Sequence, residues 1–155
     1  MTPSSRIHPS RTQREAYEAL KQVSLTTGKI AADAGLEPRL LELVQLRASQ
    51  INGCAFCLDY HHDRAIAAGE TEQRITVLSA WREARLYSPR EQAALALAES
   101  VTLIHDGQLP DDVYESAIEV FAPEAYTALL WVLVSINAFN RIAIAGRYPV
   151  EARES

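Results

Sequence analysis

The chain's two cysteines stand three residues apart, in Cys54-Ala-Phe-Cys57, and His61 follows four residues later. On an α-helix, positions i and i+3 bring Cα atoms to about 5–6 Å, inside the span that a disulfide bridges. With about 3.6 residues per turn, Cys54, Cys57 and His61 then share one helical face. The pattern is a dithiol with a titratable base beside it.

Such a pair has a specific chemistry. Only the thiolate is a good nucleophile, and two features favour it here. Cys54 falls at a helix start, where free N–H groups and the helix dipole stabilise negative charge. His61 can accept a proton from the nearer thiol, directly or through water. Once one sulfur is oxidised to a sulfenic acid, its neighbour condenses with it, releasing water. An external dithiol must then reduce the disulfide.

Other readings of the same residues remain open. Both cysteines could be inert buried side chains. Cys54, Cys57 and His61, with His62 or Asp59, could ligate a metal, although a structural zinc site usually draws on two separated ligand pairs and only one is present. Glu42 lies among Leu40, Leu41, Leu43, Val44 and Leu46. On residue type alone it reads as a surface glutamate on the wet side of its helix; if buried, it could relay protons to His61. Asn137, Asn140 and Arg141 interrupt an apolar helix and read as structural hydrogen-bonding groups. His62 points away from His61 into solvent, His8 and His105 read as incidental, and Trp81 and Trp131 read as core.

The elements that must position the dithiol are helical throughout. Ser10-Arg-Thr-Gln13 has capping-box spacing and is expected to open a helix through about Ala32, with Ala16, Leu20, Val23 and Ile30 as its apolar stripe. Gly35 closes it, and Pro38 opens a buried helix over Leu40 to Ile51. Asn52-Gly53 breaks the chain just before Cys54. The helix bearing the dithiol runs to about Ala68, and Gly69 stops it. Another begins near Thr71 and takes in Ile75, Leu78 and Trp81. Ser88-Pro89-Arg90-Glu91 marks a capped start leading to Ile104. Pro110 opens a helix ending near Phe121, and Pro123-Glu124 opens the last, through Ala145. This predicts one all-α domain of about seven helices over residues 1–155, with the CxxC at the N-terminus of a core helix.

Composition narrows the partners. Apolar residues make up 48% and charged residues 23% of the 155, which is enough for one core. Net charge is −5, and thirteen of the fifteen basic residues are arginines scattered among carboxylates. No concentrated positive face is available for nucleic acid. Met1 to Pro9 has no apolar stretch of signal-peptide type, and the apolar run Ala128 to Ile136 is too short to cross a bilayer. The expected compartment is a reducing cytoplasm, where a close cysteine pair is more often catalytic than a staple.

Glu42, then Cys54-x-x-Cys57-x-x-x-His61-x-x-x-Ala65-x-x-x-Gly69, resembles the alkyl hydroperoxidase D branch of the carboxymuconolactone decarboxylase family. Ile136-Asn-Ala-Phe-Asn140-Arg141-Ile-Ala resembles that family's terminal helix, so the likeness spans about residues 36–148, after an N-terminal helix at about 10–32. The resemblance implies an all-helical fold in a homo-oligomer, a trimer or hexamer. It implies thiol-dependent peroxidase activity on organic hydroperoxides or hydrogen peroxide, with Glu42 and His61 relaying protons. Cys57 would attack peroxide, and Cys54 would resolve it and exchange with a dithiol reductant, such as lipoyl groups on a carrier protein. No cofactor or metal is implied. Well-studied members carry a histidine between the cysteines, where this chain has Ala55 and Phe56. The family's lactone decarboxylases generally lack paired cysteines, so the CxxC argues against decarboxylation. The competing functions are a general thiol–disulfide oxidoreductase or redox sensor, and a non-enzymatic oligomeric binding module.

Overall fold

The computed structural model describes residues 6–153. Part of the Met1–Pro9 segment, read above as lacking a signal, lies outside the described residues. Among the described residues nine α-helices follow in order: α1 (Pro9–Thr12), α2 (Arg14–Asp33), α3 (Pro38–Asn52), α4 (Ala55–Ala67), α5 (Glu72–Thr76), α6 (Trp81–Ala84), α7 (Pro89–Thr102), α8 (Asp111–Val120) and α9 (Pro123–Gly146). A 3-10 turn, Leu78–Ala80, joins α5 to α6. There is no strand among the described residues, as the absence of alternating apolar patterning predicts.

Helix α3 is the hub, packed against α4, α7 and α9. Its Leu40 and Val44 join Leu97 of α7, Leu129 and Leu133 of α9, and Phe121 in one buried cluster. Its Leu43 and Leu46 face a second cluster with Ala65, Leu78, Trp81 and Leu95. A helix apolar on several sides must be covered on several sides, and α3 is. The expected capping box at Ser88 is complete. The Glu91 N–H donates to Ser88 Oγ at 3.2 Å, and the Ser88 N–H donates to Glu91 Oε2 at 2.8 Å.

Four expectations need correction. The capping box at Ser10–Gln13 does not form: Pro9 opens the short α1, Gln13 leaves the helical region (φ −121°), and α2 starts at Arg14 without a side-chain cap. Ser10 instead bonds Tyr148 from the far end of the chain. The α2 stripe of Ala16, Leu20, Val23 and Ile30 is not the buried one. Thr27 and Ala31 are buried while Val23 and Ile30 are exposed: α2 packs on α9, with Ala31 in the core cluster beside Leu129 and Leu133 and the Tyr17 ring edge-on to Phe139. The single helix expected from Thr71 is broken into α5, the 3-10 turn and α6. Trp131 is 55% exposed rather than core.

Helix α9 also exceeds the apolar run read from its sequence. Its 24 residues are long and apolar enough to cross a membrane by length and composition alone. Here it is a bundle helix, with Asn137 and Asn140 buried against α3 and α7.

Candidate active site

The site is built where α3 ends and α4 begins. Gly53 takes a left-handed conformation (φ +70°), which costs glycine little, and reverses the chain after α3. The turn makes Cys54 the N-cap of α4, its N–H donating to Ser49 O at 3.0 Å. The Cys57 N–H donates to Cys54 Sγ at 3.4 Å. The two cysteines form a disulfide, with Cα atoms 5.3 Å apart, as the i, i+3 spacing predicts. Both are buried, Cys54 at 1% and Cys57 at 4% exposure.

A polar lattice fixes this corner to α9. Asn52 Nδ2 donates to Asn137 Oδ1 at 2.9 Å and to Asn140 Oδ1 at 2.8 Å. Asn140 Nδ2 donates to Ser49 Oγ at 3.0 Å, and Asn137 Nδ2 to Thr102 Oγ1 at 3.1 Å. Arg141 donates to Asn137 Oδ1 at 3.0 Å. These groups have the structural role that their residue types suggested, satisfying one another inside an apolar helix.

His61, one turn beyond Cys57, points inward. Its Nδ1 lies 2.7 Å from Glu42 Oε2, and Glu42 is 4% exposed. The surface reading of Glu42 is therefore wrong: α4 crosses over it. The other carboxylate oxygen, Oε1, accepts from Arg64 Nε at 2.9 Å. Burial works against the Arg64 charge, but the Glu42 carboxylate outweighs it and raises the guanidinium pKa. A neutral His61 that donates Nδ1–H to this carboxylate would leave Nε2 as its proton-accepting nitrogen.

A cavity of about 350 Å³ opens beside these groups. Cys57 and His61 contribute to its wall, with Tyr17 and Leu25 from α2, Phe56 and Tyr60 from α4, and Ile136 and Phe139 from α9. The lining is mainly apolar and aromatic, as suits an organic molecule with one reactive end. All four residues singled out from the sequence, Glu42, Cys54, Cys57 and His61, thus come together. His62 and Asp59, weighed as metal ligands, are engaged elsewhere: His62 with Glu72 and Asp63, Asp59 with Arg153. The reading missed Arg64, although its i+3 spacing from His61 placed it within reach. It also missed the cavity walls from α2 and α9, for which no local pattern gave a signal.

The fold and this dithiol–imidazole–carboxylate site define a class. The chain belongs to the carboxymuconolactone decarboxylase family, whose model matches residues 14–100, and within it to the AhpD-like branch. The matched span contains Glu42, both cysteines, His61 and Arg64. It is similar to the uncharacterized protein YdfG of Bacillus subtilis, at 41% identity over 139 residues, covering 86% of this chain and 94% of that one. It is also similar to a crystal structure from Agrobacterium tumefaciens, described as a protein of unknown function and a candidate AhpD antioxidant defence protein. That likeness has a TM-score of 0.84 and 36% identity, and covers 96% of this chain and all of the other. Family, neighbour and cysteine pair together support an antioxidant or redox role of oxidoreductase type.

Proposed function

We propose that this chain is a thiol-dependent peroxidase that reduces organic hydroperoxides or hydrogen peroxide through the Cys54–Cys57 disulfide. The observation that carries this reading is the placement of Cys57 and His61 on one cavity, with His61 held by buried Glu42. In the reduced enzyme, His61 Nε2 takes the Cys57 proton, and the thiolate attacks the outer oxygen of the hydroperoxide. The O–O bond breaks, Cys57 becomes a sulfenic acid, and the alkoxide takes the proton from the imidazolium and leaves as an alcohol. Cys54 then attacks the Cys57 sulfur, water departs, and the disulfide forms. A dithiol reductant, for which a lipoyl carrier protein is a fitting source, resets the pair in a reducing cytoplasm.

The same reading includes a homo-oligomer, trimeric or hexameric. Trp131 and Val134 of α9 are large apolar side chains half-exposed on one helix, the kind of surface that a second copy would cover. Sedimentation of a single monomeric species would remove this part.

The activity test is mass spectrometry of the reduced protein after one equivalent of cumene hydroperoxide, with steady-state turnover on a dithiol reductant. Loss of two hydrogens without added oxygen, and near-complete loss of turnover in Cys57→Ser, are expected. Full turnover in the double Cys→Ser variant would end the proposal.

A further inference from the structure

We infer that oxidant and reductant enter by the same cavity and react at the same sulfur, Cys57, while Cys54 serves only as the internal sulfur that leaves and returns. This rests on the redox reading of the pair, and it moves to Cys57 the reductant exchange that the family resemblance implied for Cys54.

The two sulfurs differ in what surrounds them. Cys57 is part of the cavity wall and Cys54 is not. Both cysteines belong to a small apolar cluster with Ala48, Ile136 and Ala143, on which Tyr148 packs, but only Cys57 reaches the cavity, and Cys54 is the more enclosed, at 1% exposure against 4%. Tyr148 is itself tied down where the two ends of the chain meet. Its hydroxyl bonds the Ser10 hydroxyl and accepts from the Ser10 N–H at 3.3 Å. Its ring stacks on His8 at 5.1 Å and meets the edge of Phe56 at 5.5 Å. Arg6 adds a hydrogen bond to Ala145 O at 3.1 Å. Past Tyr148, Arg153 pairs with Asp59 at 2.8 Å and Asp63 at 2.7 Å on α4. The termini thus close over the cluster that holds the pair, and the cavity reaches it at Cys57 and not at Cys54.

The electronic arrangement matches this division. A thiolate of the reductant attacks Cys57 Sγ, the Cys54–Cys57 bond breaks, and the electron pair departs on Cys54. That sulfur already accepts the Cys57 N–H in the first turn of α4, so the charge arrives where amide hydrogens stabilise it. The second reductant thiolate then attacks its own sulfur in the mixed disulfide and releases Cys57. The dithiol leaves as a disulfide, having given two electrons to the pair, and its two protons end on Cys54 and Cys57. Helix-dipole stabilisation alone would make Cys54 the more reactive thiol toward an outside reagent. Enclosure opposes this, and a more stabilised thiolate is also an intrinsically weaker nucleophile.

The test uses Ellman's reagent, an aromatic disulfide, on the two single-cysteine variants, and needs no peroxide. Serine caps a helix well, so Cys54→Ser keeps the start of α4. In the folded proteins, Cys57 (in Cys54→Ser) is expected to react about tenfold or more faster than Cys54 (in Cys57→Ser), with the gap gone in denaturant. Adding Tyr148→Ala should speed Cys54 by about tenfold and leave Cys57 within about twofold, since access is what changes. A folded-state rate for Cys54 equal to or above that of Cys57 overturns the inference. So does a Tyr148→Ala effect equal at both sulfurs. Absence of peroxidase turnover would defeat the proposed activity and leave these thiol rates standing as a separate result.

Discussion

Glu42 on α3 and Glu99 on α7 are both carboxylates largely withdrawn from water, but they keep different company. Glu99 accepts from Trp81 Nε1 at 2.9 Å, Arg47 Nε at 2.9 Å and Arg82 at 2.6 Å. Those donors never give up their protons near neutral pH. Burial pushes the Glu99 carboxyl up, yet the bonds from Trp81, Arg82 and Arg47 together outweigh it and hold the group below its ordinary value. Glu42 divides its oxygens between one arginine and His61, whose ring belongs to a type that can exchange protons and lines the cavity beside Cys57. A carboxylate ringed by permanent cations and an indole can only hold the fold together. One coupled to an imidazole can also serve chemistry.

The largest expected effect tests the Glu42 side. Glu42→Gln keeps the shape but removes the charge that orients and supports His61. Hydroperoxide reduction should fall about a hundredfold, the usual worth of a positioned proton-transfer partner. The check is the second-order rate constant with cumene hydroperoxide on protein whose circular dichroism matches the parent. A rate within threefold of the parent would mean that this carboxylate is no more functional than Glu99.

Glu99→Gln should do the converse. Replacing a carboxylate bound by three donors leaves charged partners imperfectly paired, at a cost of about 1–3 kcal/mol in unfolding free energy. Hydroperoxide reduction by the folded variant should stay within twofold of the parent. The sign with pH follows from the lowered pKa. The stabilisation is fully present above the unfolded glutamate value, about 4.3, and is lost as pH falls through the lower folded value. The stability gap between parent and variant in urea titrations should therefore be widest near neutrality and close in acid. A tenfold loss of activity with unchanged stability would erase the distinction between the two glutamates.

The same contrast explains how much of the site the sequence alone reveals. The Cys54–Cys57–His61 face and the Ser88–Glu91 cap are local, set by spacing within one or two turns, and both stand as expected. Glu42 is 19 residues from His61, and its burial depends on which helix crosses it, which a one-helix pattern does not contain. The stripe on α2 failed for a related reason. Periodicity identified its apolar residues, but close approach to α9 selected Thr27 and Ala31 instead. Ser10 fits a cap by type and spacing, yet Tyr148, 138 residues away, takes its hydroxyl. Trp131 is core by composition and half-exposed in a single chain. Local spacing was legible, whereas long-range coverage was not.

The smallest expected effect comes from His62, next to His61 but turned about a quarter of the way around α4. It is only partly exposed, where solvent alone was expected around it, because it bridges two surface carboxylates. Nε2 lies 3.0 Å from Glu72 Oε2 at the start of α5, and Nδ1 lies 3.3 Å from Asp63 Oδ1. The Glu72 hydrogen bond, helped by Asp63 against burial and the nearby Arg153, raises the His62 pKa. Folding therefore favours the charged ring. Its contribution is complete below the unfolded histidine value, about 6.5, and disappears as pH rises through the higher folded value. A partly exposed pair of this kind contributes only a few tenths of a kcal/mol, screened further by salt. His62→Ala should thus lower stability slightly in mildly acidic, low-salt buffer and have no effect in alkaline or high-salt buffer. Hydroperoxide reduction should not change in either. A fall in that rate comparable to the Glu42→Gln loss would mean that proton traffic leaves the cavity through the outer face of α4, and the division between His61 and His62 would have to be redrawn.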